Sequence, residues 1–309
     1  MHIELLKLVP AVKDYPWGGK KLAESWNKQS NAQRIAETWE LSLHPDGLSL
    51  IEGGNYDGKT LKEFVDQWGD AVTGRSSAQF PMFPLLVKLV NTAEKTPIQV
   101  HPNDDYAHEY EKQFGKDKIW YIQETEENAG VYLGFKDKLT KEQVIKSIED
   151  GVLLDLMQFY PVKPGDLFYV PAGTVHCIGE GITLVEVQKN SNANYTLYDF
   201  GRPCSEEDLK KALDVAILGP YSGVKVEPED KAIRQLYMDR YFKVRETKNS
   251  SVFKRQIDDS FCGIMFLDGE GEITDGIHKI PFKKGDMFFA PAKIPFKITG
   301  NSRFLEIFV

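Results

Sequence analysis

Residues 162–188, VKPGDLFYVPAGTVHCIGEGITLVEVQ, return 120 positions later as residues 282–308, FKKGDMFFAPAKIPFKITGNSRFLEIF, with no gap between the copies. Gly165-Asp166 aligns with Gly285-Asp286, Phe168 with Phe288, Pro171-Ala172 with Pro291-Ala292, Ile178 with Ile298 and Glu186 with Glu306. Turn residues, the proline and the phase of the apolar positions survive together over 27 positions, which marks a duplicated structural unit. The unit reads as a tight Gly-Asp turn, a strand, a proline-bounded corner and a second strand, the later half of a small jelly-roll barrel. Two barrels are expected: residues 1–234 forming the first and residues 235–309 the second.

The rest of the chain agrees with a mostly β fold. FPLLVKLV (83–90), IWYIQE (119–124) and ITLVEVQ (182–188) are short, rich in β-branched and aromatic residues, and bounded by turn formers. Helical pattern is confined to two insertions, near 140–158 and 205–217. Each opens on a capping signal, Thr140 with Gln143 and Ser205 with Asp208.

Composition excludes several classes. With 41% hydrophobic residues in 309, the chain is neither disordered nor fibrous. No apolar run approaches the length of a membrane-spanning helix, and the N-terminus lacks the apolar core of a signal peptide. Three scattered cysteines suggest a reducing, cytoplasmic setting rather than a disulfide framework. A net charge of −8 without a basic block excludes nucleic acid as the expected partner. One phosphate remains possible, since two or three well-placed cations suffice to hold it.

Chemistry is expected where the two copies differ. His176 of the first copy is opposed by Phe296 in the second. Upstream, in TPIQVHPNDDYA, Gln99 and His101 stand two apart and so share one face of a strand. Two imidazoles and an amide oxygen converging inside a barrel can hold a divalent metal, zinc first or iron. The second barrel, with a ring in that place, is expected to be metal-free. His2, His44, His108 and His278 carry no such marks and are read as ordinary histidines. Trp17, Trp39 and Trp120 are read as packing groups.

QVHPNDDYA, GKDKIWY and FYVPAGTVHCIGEGITLVEVQKNSNANYTLYD, together with YPWGG (15–19), AETWELSLHPDG (36–47) and FPLLVKL (83–89), resemble the type I mannose-6-phosphate isomerases in their short bacterial form. The resemblance implies a double cupin and metal-dependent interconversion of mannose 6-phosphate and fructose 6-phosphate. It implies Gln99, His101 and His176 as metal ligands, and Lys88, Lys116 and Glu186 as the active-site Lys, Lys and Glu. Three positions depart from the family. Lys118 stands where the family has its ligand Glu, Thr196 where it has an Arg, and Pro97 where it has a phosphate-binding Ser. Asp117, beside Lys118, is expected on the opposite face of its strand. Arg202, six residues beyond Thr196, is too distant to replace the missing Arg unless the chain turns back. Two alternatives stay open: a weakened homologue that binds or senses a sugar phosphate, and an isomerase of another phosphosugar. Glu186 could also be structural, since Glu306 repeats it in the other barrel.

Overall fold

A computed structural model describes residues 2–309. Its two antiparallel barrels carry the duplication with strand boundaries that match to within one residue. Strands Leu167–Val170, His176–Ile178 and Ile182–Lys189 recur as Met287–Ala290, Phe296–Thr299 and Ser302–Phe308. The turns before them match as well. Gly165 and Gly285 have φ of 91° and 92°, a region that disfavours any residue with a Cβ. Asp166 accepts from the Lys163 N–H at 3.1 Å, and Asp286 accepts from the Lys283 N–H at 3.0 Å.

In the first barrel a seven-stranded sheet faces a five-stranded one. The larger runs Lys225–Val226, Leu167–Val170, Lys118–Thr125, Ile182–Lys189, Leu85–Thr92, Glu37–Leu41 and Ala11–Lys13. The smaller contains Tyr195–Tyr198, Ile98–Val100, His176–Ile178, Gly130–Phe135 and Met157–Pro161. The second barrel forms from a branched ten-stranded sheet. That sheet includes two strands from the chain's N-terminal part. Leu6–Val9 pairs with Met287–Ala290 through Leu6↔Phe289 and Leu8↔Met287, and Leu50–Glu52 pairs with Leu6–Val9. Beyond Pro10 the chain crosses to the first barrel, where Ala11–Lys13 pairs with Glu37–Leu41. The part of the chain before residue 235 thus supplies strands to both barrels.

The long strands of the larger sheet are buried on both faces, so they read as near-continuous apolar runs. Period-two alternation divides their side chains. Ile119, Tyr121, Val185 and Val187 join Met265, Leu305 and Trp26 in a core between the barrels. Trp120, Ile122, Leu184 and Val90 line the inside of the first barrel with Phe168 and Leu133. The second barrel's interior is filled by Phe266, Phe282, Phe288, Phe296 and Phe304. A further cluster seats the helical insertion on the smaller sheet.

Both expected insertion helices form, as Lys141–Glu149 (followed by a turn at Leu153–Leu156) and Glu206–Val215. Thr140 and Gln143 make the reciprocal capping box. Ser205 caps its helix through the Asp208 N–H at 2.9 Å, but the bond is one-sided. Asp is one methylene shorter than Glu or Gln and does not reach back. Helices at Lys21–Trp26, Leu61–Trp68 and Asp104–Tyr110 were not expected. Each is short, and Leu61–Trp68 carries its own Thr60–Glu63 capping box.

Candidate active site

The inner face of the larger sheet places four charged side chains, Glu37, Lys88, Lys118 and Glu186, side by side. Register sets Glu186 opposite Lys88 on one neighbouring strand and opposite Trp120 on the other, with Lys118 opposite Gln188 and Lys88 opposite Trp39. Lys118 shares the phase of Trp120, so it enters the barrel, while Asp117 faces away to bond Lys189 Nζ at 2.5 Å, as alternation demands. The smaller sheet contributes from across the barrel. His176 is paired with Gln99 in register, and His101 follows at the end of the Ile98–Val100 strand.

Lys88, Lys118, Glu186 and Gln99 line a cavity of about 270 Å³, while His101, His176 and Trp120 are buried beside it without lining it. Lys118 Nζ lies 2.9 Å from Glu186 Oε2 and 3.1 Å from His101 Nε2. Lys88 Nζ is 3.7 Å from Glu186 Oε1 and 3.1 Å from Glu37 Oε2. The Trp120 indole N–H donates to Glu186 Oε2 at 2.7 Å. Lys116 also lines the cavity, and among the described residues no carboxylate oxygen comes within 4 Å of its ammonium. The histidine rings sit 4.7 Å apart. His101 Nδ1 is 3.0 Å from the Ala193 carbonyl and His176 Nδ1 is 2.8 Å from the Thr174 carbonyl. Each Nδ1 must therefore carry the proton, which leaves both Nε2 lone pairs free to accept. Lys118 takes that of His101; that of His176 has no partner among the described residues.

Burial and charge set the protonation. Burial pushes both imidazoles well below their usual range, with the nearby lysines adding to the effect, so both are neutral. Burial would raise Glu186, but Lys118, Lys88, Lys116 and the Trp120 hydrogen bond outweigh it and hold the carboxyl well below its ordinary range. Burial would lower Lys88, but Glu37 and Glu186 raise it instead. For Lys116 the same two carboxylates are outweighed. Burial and then Lys88 and Lys118 push it far down.

Comparison with known proteins places this geometry. Residues 5–129 match the model of the phosphomannose isomerase type I catalytic domain. The chain is 34% identical over 311 residues to the Bacillus subtilis mannose-6-phosphate isomerase ManA, covering 97% of each. The chain belongs to the type I mannose-6-phosphate isomerase family. It is 31% identical to the mannose-6-phosphate isomerase of Streptococcus mutans, covering 90% of this chain and 89% of that one. A crystal structure of the Bacillus subtilis mannose 6-phosphate isomerase superposes with a TM-score of 0.87 at 30% identity, over 99% of this chain and 100% of that one. The fold is accordingly the double cupin that the motifs implied.

This family is metal-dependent, and the donor set can be tested against that requirement. Half of a metal site is present: two neutral imidazoles, fixed by carbonyl partners, with Nε2 lone pairs facing inward. The other half is reversed. Lys118 stands where the resemblance expects a carboxylate, and its ammonium already holds the lone pair of His101. An ion bound by that nitrogen at about 2.0–2.1 Å would have to occupy the space the ammonium fills. As arranged, these residues do not fit a dication.

The other departures leave gaps in the site. Thr196 pairs with Gln99 at the sheet edge and does not line the cavity. Arg202 is held at the surface by Glu94 at 2.7 Å and Asp199 at 3.1 Å. Pro97 does line the cavity, as do Tyr15, Trp17, Glu37, Asn192 and Asn194, which the sequence did not single out. Glu37 was legible in principle, since ETWEL puts it in phase with Trp39 on an inward face. Trp17 and Trp120 are more than packing groups: one borders the cavity and the other donates to Glu186. Of the histidines read as ordinary, His44 is buried against Gln113 and His108 lies on an exposed helix turn. His2 and His278 flank Glu4 outside the cavity.

Proposed function

We propose that the first-barrel cavity catalyses the aldose–ketose interconversion of mannose 6-phosphate and fructose 6-phosphate. The observation that carries this reading is the convergence of a buried, ionised Glu186 with Lys88 and Lys118 in one small cavity. The reaction moves a proton between C2 and C1 through an enediol, and it needs a base together with cations where oxygen charge develops. Glu186 takes the proton from one carbon and returns it to the other. Lys88 and Lys118 stabilise the oxygens on C1 and C2. These roles are coupled. As the ammonium groups turn toward the sugar oxygens they release Glu186, and its affinity for the proton rises as the proton arrives. Lys116, with no carboxylate of its own, and the amides of Asn192 and Asn194 suit the phosphate.

No step is assigned to a metal. Zinc is the ion that the imidazole pair would select among dications, so it is the ion to add in assays. A sugar phosphate is the partner in this reading and nucleic acid is not. The cytoplasm is the location in this reading, consistent with three free thiols; among the described residues no helix is long and apolar enough to cross a membrane.

The test is turnover of mannose 6-phosphate by the purified protein, with and without zinc, read as fructose 6-phosphate formed. Turnover that falls at least about 100-fold in Glu186→Gln is expected for a general acid–base group. Failure to convert either ester, with or without zinc, would sink the reading.

A further inference from the structure

We propose that the Lys118 ammonium is the built-in cation of the first barrel: it occupies the position a metal ion would take and excludes the ion. Three observations carry this. Lys118 is 2% exposed and is held by Glu186 Oε2 at 2.9 Å, by His101 Nε2 at 3.1 Å and by the face of Trp120, 5.0 Å from its ring centroid. Its strand is central, with Lys118 in register against Val170 on one side and Gln188 on the other, so it cannot slip to remove the side chain.

Charge points the same way. Lys88, Lys116 and Lys118 line the cavity with two carboxylates, Glu37 and Glu186. Both carboxylates already hold ammonium groups, Glu37 that of Lys88 and Glu186 that of Lys118, so a dication would enter a cavity whose anionic side chains are taken. A lysine that withdrew to admit it would leave Glu186 short of a partner.

The duplicated barrel supplies an independent precedent within the same molecule. Glu306, the counterpart of Glu186, is fully buried and takes a two-point bond from Arg245 at 2.9 and 2.6 Å, with Arg255 at 3.4 Å. Both copies balance the repeated carboxylate with protein cations. Lys118 extends to the first barrel the device that guanidinium groups provide in the second.

The inference rests on the cavity being the sugar-phosphate site, but its test does not depend on turnover. Zinc uptake is measured by calorimetry on the full chain after chelator treatment. The measurement uses a His278→Ala background, because the ligand atoms of His2, Glu4 and His278 lie within 4.8 Å of one another and could bind zinc at the surface. Less than about a tenth of an equivalent is expected. Lys118→Glu should take up one equivalent, at least about 100-fold more tightly, and adding His176→Ala should abolish that uptake. If the Lys118 chain binds one equivalent that disappears on His176→Ala, the inference is overturned, whatever the activity. A folded Lys118→Glu chain that takes up no zinc also overturns it, because the lysine would then not be what excludes the ion. If Lys118→Glu fails to fold, uptake by the Lys118 chain with its His176→Ala control decides alone. Turnover that survives chelation supports both readings; no zinc uptake and no turnover overturns the proposed activity and supports this one.

Discussion

At the scale of single residues, Glu186 and Lys116 have opposite effects on stability. Glu186 is ionised among ammonium groups, so Glu186→Gln leaves the buried Lys118 without a carboxylate partner and should cost about 3–5 kcal/mol at neutral pH. Its carboxyl lies lower in the folded chain than the 4.5 of an unperturbed Glu. The stabilisation is therefore complete above about pH 4.5 and fades as pH falls toward the folded value. Urea unfolding of both proteins from pH 7 downward should show the gap narrowing only below that point; a constant gap would contradict the pairing. Lys116 has the reverse sign, because its proton affinity falls on folding. Its cost is full below the folded value and vanishes as pH rises through 10.5, the unperturbed Lys value. Lys116→Met should therefore stabilise the protein at neutral pH by about 1 kcal/mol or more while weakening sugar-phosphate binding, the usual exchange of stability for function. Parallel unfolding and phosphate-ester titrations check this.

At the scale of elements, the repeated Gly-Asp turn is the part most sensitive to substitution. Both glycines hold a positive φ, which costs a residue with a Cβ about 1–2 kcal/mol. The surroundings differ. A methyl at Gly165 would press on the Pro228 ring, whereas one at Gly285 would run into the carbonyl oxygen of Trp26. Gly285→Ala should accordingly lower the melting temperature more than Gly165→Ala, since a backbone carbonyl cannot step aside as a ring can. Equal shifts would mean that the turn strain alone sets the cost. Thr140→Ala, which removes a two-sided cap, should cost about 1 kcal/mol.

At the scale of the whole molecule, the barrels are not separable along the chain. The second barrel's sheet continues through Met287–Ala290 into Leu6–Val9 and Leu50–Glu52, and a core containing Leu6, Trp26, Val87, Met265 and Leu305 lies between the two barrels. Residues 235–309 made alone would expose the Met287–Ala290 edge and the inner ends of that core. The fragment should show no cooperative unfolding transition, and the full chain should unfold in one. A sharp transition from the isolated fragment, followed by circular dichroism, would show that the N-terminal strands are dispensable.

The sequence alone determined what local repetition and periodicity carry. The duplicated stretch set two barrels and the turn-strand-corner-strand order within them, though each unit holds three strands where two were read. Alternation sent Lys118 inward and Asp117 outward, and the Gln99–His101 spacing with the His176–Phe296 difference pointed to one wall of one barrel. These follow because a strand's two faces are fixed by its own backbone. The tertiary structure decided which of those inward groups meet. The Leu6–Val9 crossing to the other barrel, the entry of Glu37 beside Lys88, and the exclusion of Thr196 and Arg202 all depend on pairings between distant strands, which no local pattern specifies. The same holds for the largest difference from expectation. Lys118 could be read as a departure from a ligand pattern, but only the closed barrel, which brings strands from three parts of the chain around one point, puts its ammonium between Glu186 and His101, where opposite charge and a free lone pair hold it.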